Sequence, residues 1–318
     1  MLSHPPTMDI LVEYKDPTGA IFNQTHRLTR LAFIKHLGIA GQGYAPRPQK
    51  LIRTIAMFFH YSFYMQRQAF NDHRFSEPPM QLSDPTEKGQ FSNLAGKAIA
   101  DFLSKRIDHS IFTVNYEAAM RLRAMPINVG RPDLLAYKQN SMFALEAKGF
   151  SGGYRNMAIH KTQSQTGGIP VNFTVASISY NLYNNVRCKY HDPFNSSVQY
   201  DNELLRRLTR NYYKGLSDFL DQKYFEYREF DFQGEKFYEV ELSSRNFEKG
   251  FPDEFLFNPM WQFEILDHYR PRLILPKNIR EYAENGLTSN TKPFIFEARE
   301  QDDSIYIDND RIGLRIRR

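Results

Sequence analysis

The chain has 318 residues, of which 41% are hydrophobic, enough to fill the core of one large domain or two ordinary ones. Its single cysteine, Cys188, excludes an internal disulfide framework, a thiolate zinc site and a cysteine-bound iron–sulfur cluster. A formal net charge of +5 fits a polyanionic partner but does not require one.

The N-terminal region, residues 1–79, is predicted to be helical and rich in aromatic residues, with a helix from about Lys50 to Phe70. The most hydrophobic run in this region is LIRTIAMFFHYSFYM, which Arg53 and His60 interrupt and which is too short to span a bilayer. The first residues show no charged stretch followed by an apolar segment, the pattern of an export signal. We therefore expect a cytoplasmic protein with no membrane contact.

A helix is predicted from residue 85 to about residue 107. Asp84 can cap the free amides, Pro85 suits the first helical position, and Glu87 stands where a capping-box glutamate does. Apolar residues then recur at helical spacing from Phe91 to Leu103. The resulting apolar stripe predicts that the helix packs on a sheet.

The segments that follow predict an antiparallel meander. Alternating apolar residues over 111–123 predict one long strand, and residues 131–137 and 141–150 predict two more, joined by a polar turn between Lys138 and Met142. Residues 154–165 are predicted to form a helix, and residues 171–180 a strand. The helix makes a crossover that adds this strand parallel to the meander. The predicted fold class is α/β with a mixed sheet, and its core covers residues 80–200.

The C-terminal region, residues 201–318, is predicted to contain a capped amphipathic helix and two β-hairpins. The hairpins turn at Gln233 and Gly234 and at Asn309 and Asp310. These elements either position DNA as a separate unit or belong to the same domain as the core. The terminus RIGLRIRR contributes Arg315, Arg317 and Arg318, which are either phosphate contacts or a solvated basic tail.

Three charged residues lie in the apolar, strand-like passage between Gly130 and Gly149. Glu146 and Lys148 are two residues apart and therefore project from one strand face, and the hairpin returns Asp133 beside them. Carboxylates can hold a hard divalent cation, while the lysine can orient or deprotonate water and offset charge on a phosphate. The alternative is a structural salt bridge at a sheet edge.

This arrangement resembles the PD-(D/E)XK nuclease superfamily. The resemblance is carried by Pro132 and Asp133, followed after a short hairpin by Glu146, Ala147 and Lys148 on an apolar strand. It implies a restriction-endonuclease-like core of helix, three-stranded antiparallel meander, helix and added strand. It also implies that Asp133, Glu146 and the carbonyl of Ala147 hold Mg²⁺, for which Mn²⁺ can substitute, and that Lys148 is the catalytic lysine.

The resemblance suggests further site residues. Many members carry an acidic residue on the first helix, which makes Glu87 a candidate, although helix capping also explains it. Lys161, Gln163 and Gln165 occupy positions where members place DNA-contacting residues, and a solvated helix face is the alternative. His160 is a candidate metal ligand, but a lone histidine in this setting is more often near the site or on the surface.

The predicted function is that of a magnesium-dependent DNA endonuclease that acts on duplex DNA as a homodimer or within a larger nuclease complex. Fold-level analogy suggests a restriction or antiviral defence enzyme. The first alternative is a scaffold or nucleic-acid-binding subunit with a nuclease fold. The second alternative is an RNA nuclease, because metal-dependent phosphodiester chemistry does not itself select the sugar.

Overall fold

The structure is a computed structural model that describes most of the chain. The described residues are 6–43, 61–77, 85–154, 156–195, 200–221, 223, 225–243, 266–287, 291–295 and 304–316.

Seven strands form one mixed sheet in the spatial order β2-β1-β7-β6-β5-β4-β3. The bounds are β1 Thr7–Lys15, β2 Ile21–Thr29, β3 Phe112–Asn115, β4 Leu134–Lys138, β5 Ser141–Gly149, β6 Phe173–Tyr180 and β7 Arg187–Asn195. The β5–β6 and β7–β1 pairs are parallel and the other neighbours are antiparallel. The central strands β4 and β6 are buried along almost their whole length.

Helices pack on this sheet and on one another. Their bounds are α1 Arg30–Ile39, α2 Arg67–Asn71, α3 Pro85–Ile107, α4 Tyr116–Leu122, α5 Met157–Ser164, α6 Asn202–Ser217 and α7 Ile279–Asn285, with 3-10 helices at Tyr61–Met65 and Asp218–Asp221. The longest, α3, buries Phe91, Ala95, Ile99 and Phe102 in the main core, as its helical spacing predicts. None of the helices in the described ranges is long and apolar enough to cross a bilayer.

A second, antiparallel sheet lies in the C-terminal region, in the order β11-β12-β10-β9-β8. Its strands are β8 Tyr227–Phe232, β9 Glu235–Glu241, β10 Arg272–Pro276, β11 Ile305–Ile307 and β12 Gly313–Arg315. Both predicted hairpins are confirmed, and β10 joins them into one sheet. The first hairpin turns at Gln233 and Gly234, which both have positive φ angles.

Between residues 85 and 180 the structure has the predicted helix, three antiparallel strands, helix and parallel strand, with a further short helix, α4, between β3 and β4. β3, β4 and β5 are antiparallel neighbours, and β6 lies parallel to β5 after the α5 crossover. The hairpin between β4 and β5 turns through Gln139 and Asn140, and Asn140 has a φ of 59°. The predicted cap, Asp84, lies outside the described residues.

The prediction of one long strand from 111 to 123 is wrong beyond Asn115. The Asn115 side chain accepts a hydrogen bond from the Glu117 N–H at 2.8 Å and caps α4. Glu117 and Arg121 then form an ion pair one helical turn apart, at 2.7 Å. Ala119 is buried, although strict alternation would expose it. Over seven residues, a short helix with small buried side chains imitates the period of a strand.

The prediction of a helical region over residues 1–79 also needs correction. The described part opens with β1 and β2, and β1 lies parallel to β7 in the same sheet as the meander. Of the helix predicted from Lys50 to Phe70, residues 50–60 lie outside the described residues. The remainder forms a 3-10 helix and the start of α2. The N-terminal region is therefore continuous with the core sheet.

Candidate active site

The hairpin of β4 and β5 brings together the three charged residues predicted from the sequence. Asp133 immediately precedes β4, and Glu146 and Lys148 project from one face of β5. The Lys148 Nζ donates a hydrogen bond to Asp133 Oδ2 at 3.1 Å and lies 3.0 Å from Glu146 Oε1. An ammonium group therefore lies between two carboxylates.

Glu146 is fully buried, and its carboxylate is poorly satisfied. Neither carboxylate oxygen accepts a hydrogen bond from the described residues, although Oε1 is close to the Lys148 ammonium. Burial, reinforced by the Asp133 carboxylate and opposed by Lys148, raises the pKa of Glu146 to about 8. The raised pKa means that Lys148 offsets only part of the free energy that burial of the charged carboxylate costs. The site thus contains a carboxylate that a further cation would stabilise.

Asp133 and Lys148 connect this buried carboxylate to the surface. Their side chains are 35% and 28% exposed, whereas that of Glu146 is 0% exposed. Asp133 Oδ2 also accepts a hydrogen bond from the Ala147 N–H at 3.0 Å, which fixes the carboxylate against β5. Burial opposes the charged form of Lys148, but Asp133 and Glu146 outweigh it and raise its pKa. A ligand can therefore approach from the side of Asp133 and Lys148.

Two glycines allow α3 to pack directly on the site strand. A methyl group at Gly149 would lie 1.8 Å from the carbonyl oxygen of Ser92, and one at Gly96 would lie 2.3 Å from the Gly149 nitrogen. Side chains at these positions would push the helix away from β5. Helix α3 therefore packs on the face of β5 opposite to the face that carries Glu146 and Lys148.

Lys97 is a cation near the site that the sequence reasoning missed. Its Nζ lies beside Gly41 and the Leu134 side chain, at the start of β4, and it makes no ion pair within the described residues. Burial lowers the pKa of Lys97, while Asp133 and Asp101 oppose that shift. The available signal was a lysine inside the apolar stripe of α3. Its position near Asp133 required the tertiary structure.

Helix α5 lies on the same sheet face as Glu146. His160 Nδ1 is 3.7 Å from Glu146 Oε1, beyond hydrogen-bond distance, and burial followed by the Lys148 charge lowers the pKa of His160. The Gln163 side-chain amide donates a hydrogen bond to the carbonyl of Arg131, two residues before Asp133, at 3.1 Å. Gln165 is an exposed residue at the end of the helix. Lys161 is half-buried on the side facing β7 and β1.

Glu87 lies apart from these residues. It accepts a short hydrogen bond from the Tyr64 hydroxyl. Glu87 precedes Gly96 by nine positions, about 13 Å of rise along α3, and it is Gly96 that contacts the site strand. No contact between Glu87 and the three site residues occurs in the described part of the chain. The structure therefore provides a local partner for Glu87 and does not bring it into the site.

Arg315, the described arginine of the three predicted at the C-terminus, makes its contacts away from the site. Arg315 Nη1 donates to the buried Glu239 at 2.7 Å, and Arg228 and Arg272 bind the other carboxylate oxygen at 2.6 and 3.0 Å. Arg315 also lies over the Phe230 ring, 4.5 Å from its centroid. These contacts give Arg315 a role in the second sheet. Arg317 and Arg318 lie outside the described residues.

Comparison with known proteins adds no relatives. No family model, no curated protein and no solved structure matches the chain. The unsatisfied Glu146 carboxylate beside a partly exposed Asp133 fits a hard divalent cation, which prefers carboxylate oxygens and retains waters.

A second group of potential ligands, His36, Asp101 and Asp308, is buried elsewhere in the core. Lys35 and Lys105 already place ammonium groups 2.5 Å from Asp308 Oδ2, and His36 Nδ1 is 2.6 Å from Asp101 Oδ2. These cations neutralise the carboxylates without a metal. We therefore treat this group as a structural cluster and not as the metal site.

Proposed function

We propose that the protein is a divalent-metal-dependent nuclease that hydrolyses phosphodiester bonds in DNA. The observation that carries the proposal is the buried, unsatisfied Glu146 carboxylate, held with Asp133 and Lys148 on one face of a sheet hairpin. The resemblance to PD-(D/E)XK nucleases in motif and in element order agrees with this chemistry.

The residues divide the work by position. Asp133 and Glu146 would hold Mg²⁺ or Mn²⁺, with the Ala147 carbonyl as the further ligand that the resemblance implies. The bound ion would supply Lewis acidity toward the phosphate and lower the pKa of a water molecule. Lys148 would orient the attacking water through hydrogen bonds and stabilise negative charge on the phosphate, because its ammonium lies at the exposed side of the carboxylates.

Cleavage of supercoiled plasmid by the purified protein tests the proposal. We expect nicking or linearisation with Mg²⁺, none with EDTA, and a loss of at least about 100-fold in rate for Asp133→Asn and Lys148→Met. Lys138→Met is the matched control, since this lysine lies at the far end of the same hairpin against Phe173. It should cut at the wild-type rate.

The outcomes separate the alternatives. Cleavage that survives Lys148→Met, or that persists in EDTA, contradicts the proposed chemistry. Cleavage of RNA without cleavage of DNA would retain the chemistry and overturn the choice of substrate. A folded wild-type protein that binds plasmid tightly but cuts neither nucleic acid would favour the scaffold alternative.

A further inference from the structure

The sheet face that carries Glu146 and Lys148 continues across three more strands. Residues paired in register on adjacent strands point to the same face. The two rows of pairs are Glu146–Ala176–His191–Lys15 and Lys148–Ile178–Lys189–Glu13, running from β5 through β6 and β7 to β1. With a strand spacing of about 4.8 Å, the far end of each row is about 14 Å from the candidate site.

The far end of this face is basic. Lys189 and Arg187 project from β7, Lys15 projects from β1, and Lys161 reaches the same place from α5. We call these four residues the basic strip. An acidic residue, Glu13, lies beside the strip, and its carboxylate is 2.8 Å from Lys189 Nζ and 3.0 Å from His191 Nε2.

The strip holds more positive charge than its own acidic group neutralises. Lys15, Lys161 and Arg187 make no ion pair in the ranges that the structure describes. Partial burial, followed by repulsion from Lys15 and Lys189, lowers the pKa of Lys161, while Glu13 opposes that shift. Cations held this close together without counterions are stabilised by a polyanion.

Helix α5 links the basic strip to the candidate site. His160 faces Glu146 at 3.7 Å, and the next residue, Lys161, faces Lys189 and Lys15. The Tyr154 ring, just before α5, lies 5.0 Å from Lys189 Nζ. The site and the strip therefore lie at opposite ends of one sheet face, and α5 packs on β6 between them, where Ala176 and Ile178 are buried.

We infer that the basic strip binds the phosphate backbone of the strand that the site cuts. This inference rests on the proposed function and specifies how the substrate lies: its backbone reaches from the site on β5 past α5, which packs on β6, to the strip on β7 and β1. A separation of about 14 Å corresponds to about four nucleotides of duplex DNA, at 3.4 Å of rise each along the helix axis. Phosphate contacts of this kind fix the register of the substrate and carry no sequence preference.

The test measures binding of a fluorescein-labelled DNA duplex by anisotropy at several NaCl concentrations, in the cleavage-deficient Asp133→Asn protein. The test variant is Lys15→Ala/Lys161→Ala. The control is Lys236→Ala/Lys277→Ala, which removes the same charge from exposed positions on the second sheet. Melting curves confirm that all the proteins are folded.

We expect the strip variant to bind at least about tenfold more weakly near physiological salt and to reduce the slope of log K against log [NaCl] by about two. The control should match its parent. In the cleavage-competent protein, the strip substitutions should raise KM and leave kcat nearly unchanged, because they lie away from the reacting phosphate.

An unchanged salt slope, or an equal loss of affinity in the control, overturns the inference. If the wild-type protein cuts DNA and the strip variant binds DNA normally, the inferred role of the basic strip is wrong and the nuclease proposal stands. If the wild-type protein cuts neither DNA nor RNA yet the strip governs binding, the strip stands and the nuclease proposal fails.

Discussion

Lys105 lies at the centre of a buried ionic cluster that ties the C-terminal hairpin to the helices. Its Nζ is 2.5 Å from Asp308, 3.3 Å from Asp310 and 3.5 Å from Asp101, and all four side chains are at most 2% exposed. The Lys35 Nζ lies 2.5 Å from Asp308 Oδ2 and 2.7 Å from Asp310 Oδ2. The carboxylates of the hairpin are thus neutralised by lysines from α1 and α3.

Lys105→Met should destabilise the protein by about 3 kcal/mol. Breaking a buried pair typically costs 3–5 kcal/mol, because it leaves an uncompensated charge, and the remaining Lys35 places this case at the low end. The matched control is Lys277→Met, which breaks a 2.9 Å pair with Glu229 whose side chains are 45% and 48% exposed. The control should unfold close to the wild type, because water screens an exposed pair.

Urea unfolding followed by circular dichroism measures both changes. The two variants should give the same denaturant slope, so that the shift in midpoint reports stability. Equal losses for Lys105→Met and Lys277→Met, or a loss below about 1 kcal/mol for Lys105→Met, would refute the reasoning. In that case the cluster would contribute no more than an exposed pair.

Two further predictions concern the sheet around the site. Burial lowers the pKa of His191 from 6.5 to about 4, although Glu13 opposes the shift. The free energy of unfolding of the wild type should therefore fall as the pH drops from about 6.5 to 4, because the unfolded chain takes up the proton first. In urea titrations, His191→Gln should remove up to about 3 kcal/mol of that pH dependence. Gly149→Ala should cost about 3 kcal/mol or more and abolish cleavage, because its methyl group would meet the Ser92 carbonyl, whereas Gly152→Ala has open space and should melt like the wild type.

The candidate site could be predicted from the sequence because its residues are close together along the chain. Asp133, Glu146 and Lys148 fall within one hairpin, so the alternation of side chains and the length of the turn suffice to bring them together. The apolar surroundings also predicted that an ionised group there would need a partner. The complete burial of Glu146 and its ion pair with Lys148 could not be read from the pattern.

The incorrect predictions concern strands of the seven-stranded sheet. The four-residue β3 and the seven-residue α4 together imitate one alternating strand, and Asn115 is the cap that separates them. β1 pairs with β2 in a local hairpin, whose turn residues Asp16, Pro17 and Gly19 were an available signal. The parallel pairing of β1 with β7, more than 170 residues later in the chain, was not predictable in this way. Pairing over such a separation depends on the packing of the whole sheet and leaves no short-range signal.

Short-range chemistry thus accounts for α3, the meander, the crossover to β6 and the three charged residues of the hairpin. Periodicity and turn residues act between neighbours in the chain, and these elements are built from neighbours. The basic strip, the place of Lys97 and the ionic cluster around Lys105 arise between segments far apart in sequence. Their charges become neighbours after the strands pair and the helices pack, because Coulomb interactions depend on distance in space and not along the chain.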